Sequence, residues 1–151
     1  MADAKDGQTV IQKVARITQD RLGDRMGSLV SMALEGVFPD PYAFALRFVP
    51  RRGRTEADPV FVKGGKDLDP MSTSGGGPKD VASFFARPAA WSLRKDRRKL
   101  ILSDEGFKFL HSPDYQRNVS EILSAVSRRL GIQVVMVTDQ AELTGDVVIN
   151  L

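Results

Sequence analysis

Hydrophobic residues in the first part of the chain recur at steps of three and four: Val10, Val14 and Ile17, then Leu22, Met26, Leu29, Val30 and Ala33. That spacing puts them on one helical face and predicts a helix from about Thr9 to Leu34. Gly23 and Gly27 weaken its middle, each by about 1 kcal/mol relative to alanine. The early polar side, with Gln12, Lys13, Arg16, Gln19, Asp20 and Arg21, fits the end of a coiled coil or a single amphipathic helix on its own domain. Gly36 and Pro39-Asp40-Pro41 stop the helix.

The period then changes to two. Tyr42, Phe44, Leu46 and Phe48 share one face of a strand running to Val49. The turn from Pro50 to Thr55 leads to a second strand over Asp58 to Lys63, a hairpin that Gly64-Gly65 ends. Asp69 to Pro78 reads as a loop, with Pro78 suited to the first turn of a helix whose apolar face begins at Val81, Phe84 and Phe85. Pro88 is expected to kink or break that helix, which resumes over Ala89 to Leu93. Leu100-Ile101-Leu102 predicts a short buried strand in the middle of a sheet. Tyr115, Val119, Ile122, Leu123, Val126 and Leu130 form a helical stripe that Gly131 terminates. Ile132 to Val137 is a further buried strand and Asp146 to Leu151 a third. Strand, helix, strand without alternation predicts a parallel pair covered on both faces.

Composition narrows the chemistry. At 151 residues, 42% hydrophobic and 27% charged, the chain has the balance of a globular domain large enough to bury a core. Without cysteine, thiolate metal sites and disulfides are excluded, and one histidine, His111, leaves little from which to build a zinc hydrolase or a histidine triad. No apolar run approaches the ~20 residues that cross a bilayer, and the amino terminus has no signal core. A cytoplasmic protein with no membrane partner is expected. The net charge of +3 is clumped in Arg51-Arg52-Gly53-Arg54 and in residues 94–99. Such clusters fit a solvated loop and a cationic helix end better than a DNA-binding surface, since no aromatic residues interleave with either.

Two motifs carry the functional reading. Ser74-Gly75-Gly76-Gly77 opens a predicted helix, where bare backbone amides can hold a phosphate. Asp104-Glu105 ends an apolar strand, at the edge where ligands of open α/β sheets bind. Each alone is weak, since glycine clusters usually serve turns and acidic pairs often only cap or solubilise.

In order and spacing these residues resemble, from Leu29 to the end, the carboxy-terminal ATPase lobe of the SMC-like ABC ATPases. The likeness is greatest to the members that repair DNA double-strand breaks (the SbcC type), bacteriophage relatives included. Ser74 to Gly77 looks like the ABC signature, and Leu100 to Glu105 like Walker B with its adjacent glutamate. His111-Ser112-Pro113-Asp114 occupies the place of the D-loop, and Val134 to Asp139 is similar to the strand that normally ends in the switch histidine. The resemblance implies an α/β fold: half of a P-loop ATPase head, with a β-hairpin and a short parallel sheet flanked by helices. Residues 1–35 would be a coiled-coil stub and 36–151 the lobe.

It further implies ATP and Mg²⁺ as ligands. Ser74, Gly75, Gly76 and Gly77 would contact the nucleotide and Asp104 would hold the metal through water. Glu105 would position the attacking water, while Ser112 and Asp114 would lie in the D-loop. The implied partners are an amino-terminal lobe supplying Walker A, a second head, an exonuclease and DNA. The implied location is the nucleoid, or the host cytoplasm if phage-encoded. Three features depart from the pattern: Asp139 stands at the switch position, Pro88 interrupts the signature helix, and no Gly-x-x-x-x-Gly-Lys-Ser/Thr loop is present. The isolated chain is therefore expected not to hydrolyse ATP. It can alternatively be a hydrolysis-deficient module that docks on and regulates an intact ATPase.

Overall fold

The computed structural model describes the backbone of residues 2–93 and 98–150, and the side chains of Gly7 and of residues 9–93 and 98–150. The second basic cluster thus lies mostly outside the described residues, as does Leu151. The element order is α1 (Ala2–Val37), β1 (Ala43–Arg51), β2 (Arg54–Lys63), β3 (Lys66–Leu68), α2 (Pro70–Thr73), α3 (Gly76–Ser92), β4 (Leu100–Asp104), α4 (Pro113–Leu130) and β5 (Gln133–Val137).

The first helix is longer than its hydrophobic stripe and passes through Gly36, because its last turn is buried: Val30, Ala33, Leu34 and Val37 are core residues. Its weak middle has a packing reason. A Cβ on Gly27 would lie 3.2 Å from the Phe44 carbonyl oxygen, and one on Gly23 3.4 Å from the Phe48 ring, so both glycines let β1 run close along the helix. Ser31 fixes that approach. Its hydroxyl accepts from the Phe44 N–H at 2.8 Å and donates to the Phe44 carbonyl at 3.4 Å.

β1 and β2 pair antiparallel about the Arg52-Gly53 turn, with Arg51 opposite Arg54, so the second strand begins earlier than expected. Gly64 and Gly65, both at positive φ, make a second tight turn into β3, which pairs with Phe61 to Lys63. The expected loop after it contains α2, capped by the Asp69 carboxylate accepting from the Met71 N–H. α3 runs unbroken through Pro88. The buried proline ring packs in the core, and that apolar contact offsets the missing main-chain bond. Gly131 ends α4 in the left-handed conformation, as its position predicts.

Three expectations for the second sheet need correction. β4 and β5 do form a parallel pair, with Leu100 beside Gln133 and Asp104 beside Val137. Among the described residues they are its two strands, however, so β4 lies at an edge there instead of in an interior place. Burial alternates along both strands: Ile101, Val134 and Met136 pack on the core, while Leu100, Leu102, Val135 and Val137 are exposed. Unbroken apolar runs signalled two faces to be covered, and this chain covers one. Residues 146–150 form no strand, and Val147, Val148 and Ile149 are exposed. The other side of the core is aromatic, with Phe107 packed on Phe84 and Phe85. No helix among the described residues is long and apolar enough to cross a membrane.

Candidate functional site

The glycine run is divided by the fold. Gly75 is the N-cap residue of α3, extended and exposed, and a Cβ there would meet nothing within 4 Å. Gly76 and Gly77 form the first helical positions. A Cβ on Gly76 would strike the Phe109 side chain at 2.7 Å, and one on Gly77 would come 3.0 Å from Leu110. Packing therefore explains Gly76 and Gly77, whereas nothing packs against Gly75, whose place at the N-cap favours glycine only modestly. Gly75 offers no capping side chain and Pro78 has no N–H, so the amides of Gly76 and Gly77 point out of the helix start without an acceptor among the described residues. Ser74 donates its hydroxyl to the Pro70 carbonyl at 2.9 Å, which orients its lone pairs away from α2.

The same helix reaches the carboxylates. The Asp80 carboxylate accepts from the Phe109 N–H at 3.0 Å, tying the second turn of α3 to the loop after β4. Beyond it, Asp80, Ser83, Arg87, Asp104, Glu105 and Lys108 line a cavity of about 240 Å³. Asp104 and Glu105 are both exposed, and neither is ion-paired with a described residue. Glu105 takes a left-handed φ of 49°, and its N–H donates to the Val137 carbonyl at 2.9 Å. Gly106 follows in a space where a Cβ would lie 2.6 Å from the Ser103 hydroxyl. A larger groove of about 710 Å³ between β2 and α3 contains none of the candidate residues.

The remaining candidates lie at the same end of the parallel strands. Ser112 is the N-cap residue of α4, with Pro113 at its first position. Asp114, in the first turn, is engaged by Arg117, which also reaches Glu142 at 2.8 Å beyond the end of β5. The hydrogen bonds that its guanidinium donates to Glu142 and to Asp114 raise the Arg117 pKa. Asp139 is exposed just past β5. The Gln116 amide donates to the Leu110 carbonyl at 2.7 Å and holds the connecting loop down on α4.

Sequence reasoning missed Asp80 and Gln140, which hold the loop after β4; nothing in their local pattern marks them. No group of three or more potential ligand side chains among the described residues is arranged to hold a metal alone. A lone exposed carboxylate such as Asp104 does suit a magnesium ion that takes its other ligands from water and a phosphate chain.

A long entering helix, a hairpin sheet and a short parallel pair ending in carboxylates define an α/β lobe of the kind found in SMC ATPase heads, where it resembles the C-terminal lobe. No family model and no curated protein matches the sequence. Among solved structures, the Smc head bound to the C-winged helix domain of ScpA superposes with a TM-score of 0.64 at 13% identity, covering 87% of this chain and 38% of that one. The Smc head domain with an extended coiled coil, bound to the C-terminal domain of ScpA and derived from Pyrococcus furiosus, gives 0.60 at 13% identity, covering 90% and 35%. A third structure, from the structural biochemistry of ATP-driven dimerization and DNA-stimulated activation of SMC ATPases, gives 0.55 at 14% identity, covering 85% and 74%. The chain thus spans little more than a third of the first two. At these identities the likeness is one of fold.

Proposed function

We propose that this chain is the C-terminal half of an SMC-like ATPase of DNA double-strand-break repair, completed by an amino-terminal lobe that carries the phosphate loop. One observation carries the reading. Leu100, Leu102, Val135 and Val137 form an uncovered apolar face on the same two strands that deliver Asp104 and Glu105 to their carboxyl end. Burying such a face against a second lobe would be favourable by about 25 cal/mol per Å² and would place that lobe's phosphate loop beside the carboxylates.

In the completed head Asp104 would hold Mg²⁺ through a water and Glu105 would orient the water that attacks the γ-phosphate. Ser74, Gly75, Gly76 and Gly77 would face the nucleotide of a second head. The amides of Gly76 and Gly77, which have no acceptor among the described residues, and the open space around Gly75 support that role. Ser112 and Asp114 would form the D-loop between the paired heads. An exonuclease and DNA would be the further partners, and residues 1–35 would continue into a coiled coil. The test is reconstitution: mixed with a Walker A lobe, the chain should turn over ATP, and Glu105→Gln should abolish turnover while nucleotide binding remains. Turnover indifferent to Glu105→Gln would remove the catalytic assignment.

A second reading has its own support. Asp139 presents a carboxylate at the position where a donor would meet the γ-phosphate, and like charges repel there. On this reading the lobe docks on an intact ATPase and regulates it. Partner capture would then survive Asp104→Ala, and its loss in that folded variant would favour the catalytic role.

A further inference from the structure

We infer that Gln140 is the positioning residue for Glu105, acting through the turn on which that carboxylate sits; the inference rests on the catalytic reading of Glu105 above. The turn is held at both ends by one short segment. At its start the Glu105 N–H donates to the Val137 carbonyl at 2.9 Å, and at its end the Gln140 side-chain amide donates to the Phe107 carbonyl at 2.8 Å. Thr138 and Asp139 lie between the two holding points. The Gln140 N–H in turn donates to the Thr138 hydroxyl at 3.2 Å, which fixes the direction from which the side chain approaches.

The turn needs holding. Glu105 and Phe107 both occupy the left-handed region, at φ 49° and 65°, where residues with a Cβ stay only if their surroundings keep them. Packing fixes the Phe107 ring, whose centroid lies 4.6 Å from that of Phe84. The Phe107 carbonyl accepts from two donors: the Leu110 N–H at 2.9 Å, within the same loop, and the Gln140 amide, which alone of the two ties the turn to the segment after β5.

Stability alone does not account for glutamine here. Its Oε1 is buried and accepts no hydrogen bond from a described residue, a penalty that a leucine of similar size would avoid. The donor end therefore serves the turn at the expense of an unmatched acceptor. Asp139 cannot contribute in this way, because an ionised carboxylate has no proton to donate to a carbonyl.

The experiment uses the full chain, isotopically labelled, as wild type, Gln140→Leu and Gln140→Glu at neutral pH. Expected in both variants is an upfield move of the Phe107 carbonyl ¹³C resonance. Amide exchange at Glu105, Gly106 and Phe107 should be about tenfold faster, with α4 and the hairpin unchanged. Gln140→Leu should melt no lower than wild type. An unmoved resonance, or faster exchange spread evenly over the molecule, would overturn the inference. With an amino-terminal lobe added, Gln140→Leu should lower kcat about tenfold at unchanged KM; an unchanged kcat would remove the positioning role even where the turn had loosened. If wild type itself shows no turnover, the catalytic reading falls, and the resonance still decides whether Gln140 holds the turn.

Discussion

Gly76 touches Phe109: a Cβ on the glycine would lie 2.7 Å from the Cβ of the phenylalanine. With the Asp80 carboxylate accepting from the Phe109 N–H, this contact joins the start of α3 to the loop that follows Glu105. The glycine run and the carboxylate pair, separate motifs in the sequence, are parts of one packed unit. A shift of the helix start would therefore be felt at the loop.

The three glycines should respond differently to a methyl group. Gly76→Ala forces Phe109 or the helix to move, so a loss of about 1–3 kcal/mol is expected in denaturant unfolding. Gly75→Ala meets open space at an ordinary φ and should cost under about 1 kcal/mol, the N-cap preference alone. A Gly75→Ala loss as large as that of Gly76→Ala would show that Gly75, too, serves the fold.

Ser31 should matter more than its position on a helix suggests. Ser31→Ala leaves the Phe44 N–H without its partner in a half-buried place, at a cost of about 1–3 kcal/mol. Thermal unfolding would register it, and Ser31→Thr, which keeps the hydroxyl, should recover part of the loss.

Local pattern revealed most of the elements because each has its own periodicity. The stripe from Tyr115 to Leu130 and its Gly131 stop match α4, and the alternation after Tyr42 matches β1. β3 and α2 escaped notice because three and four residues carry no period. Pro88 misled because its cost is local, while the core that accommodates it is assembled from distant residues. The exposed face of β4 and β5 misled for the opposite reason: the residues announce a burial that this chain alone does not supply. The glycine run and the carboxylate pair stand out as local motifs, but Asp80 and Gln140 act across 29 and 33 residues of sequence, and spacing shows nothing of that.

The uncovered sheet face gives a contrast between folding and docking. Leu102→Lys adds charge to a side chain already 69% exposed and should alter stability by less than about 0.5 kcal/mol. Phe85→Ala, in the fully buried core, should cost about 3–5 kcal/mol. In sedimentation Leu102→Lys should also weaken any self-association of the isolated chain and its capture of a second lobe. Undiminished lobe capture would place the docking surface elsewhere.

Acid should loosen the hairpin sheet. The Arg47 guanidinium donates twice to the Asp67 carboxylate and holds its pKa below the usual value, against a smaller opposing effect of desolvation. Because the folded-state value is the lower one, the stabilisation is complete above the ordinary carboxylate range and is lost as pH falls through the depressed value. Asp67→Asn should flatten that part of the stability profile and leave the neutral-to-alkaline part parallel to wild type. Both side chains are half exposed, so added salt should shrink the difference.

The last prediction concerns the two halves of α1. Leu34 is fully buried, and Leu34→Ala should cost about 2–5 kcal/mol. Val10, Val14 and Ile17 recur on one face yet are 61%, 58% and 43% exposed, so the lobe does not use them. Val14→Asp should leave the unfolding midpoint of the chain unchanged, since neither side chain is desolvated there. If that stripe is the seam of a coiled coil, the same substitution places a charge between two helices and should weaken association with an added partner helix at least tenfold. Equal binding by wild type and Val14→Asp would mean that the stripe faces water in the working protein, and that α1 is only the helix on which the hairpin rests.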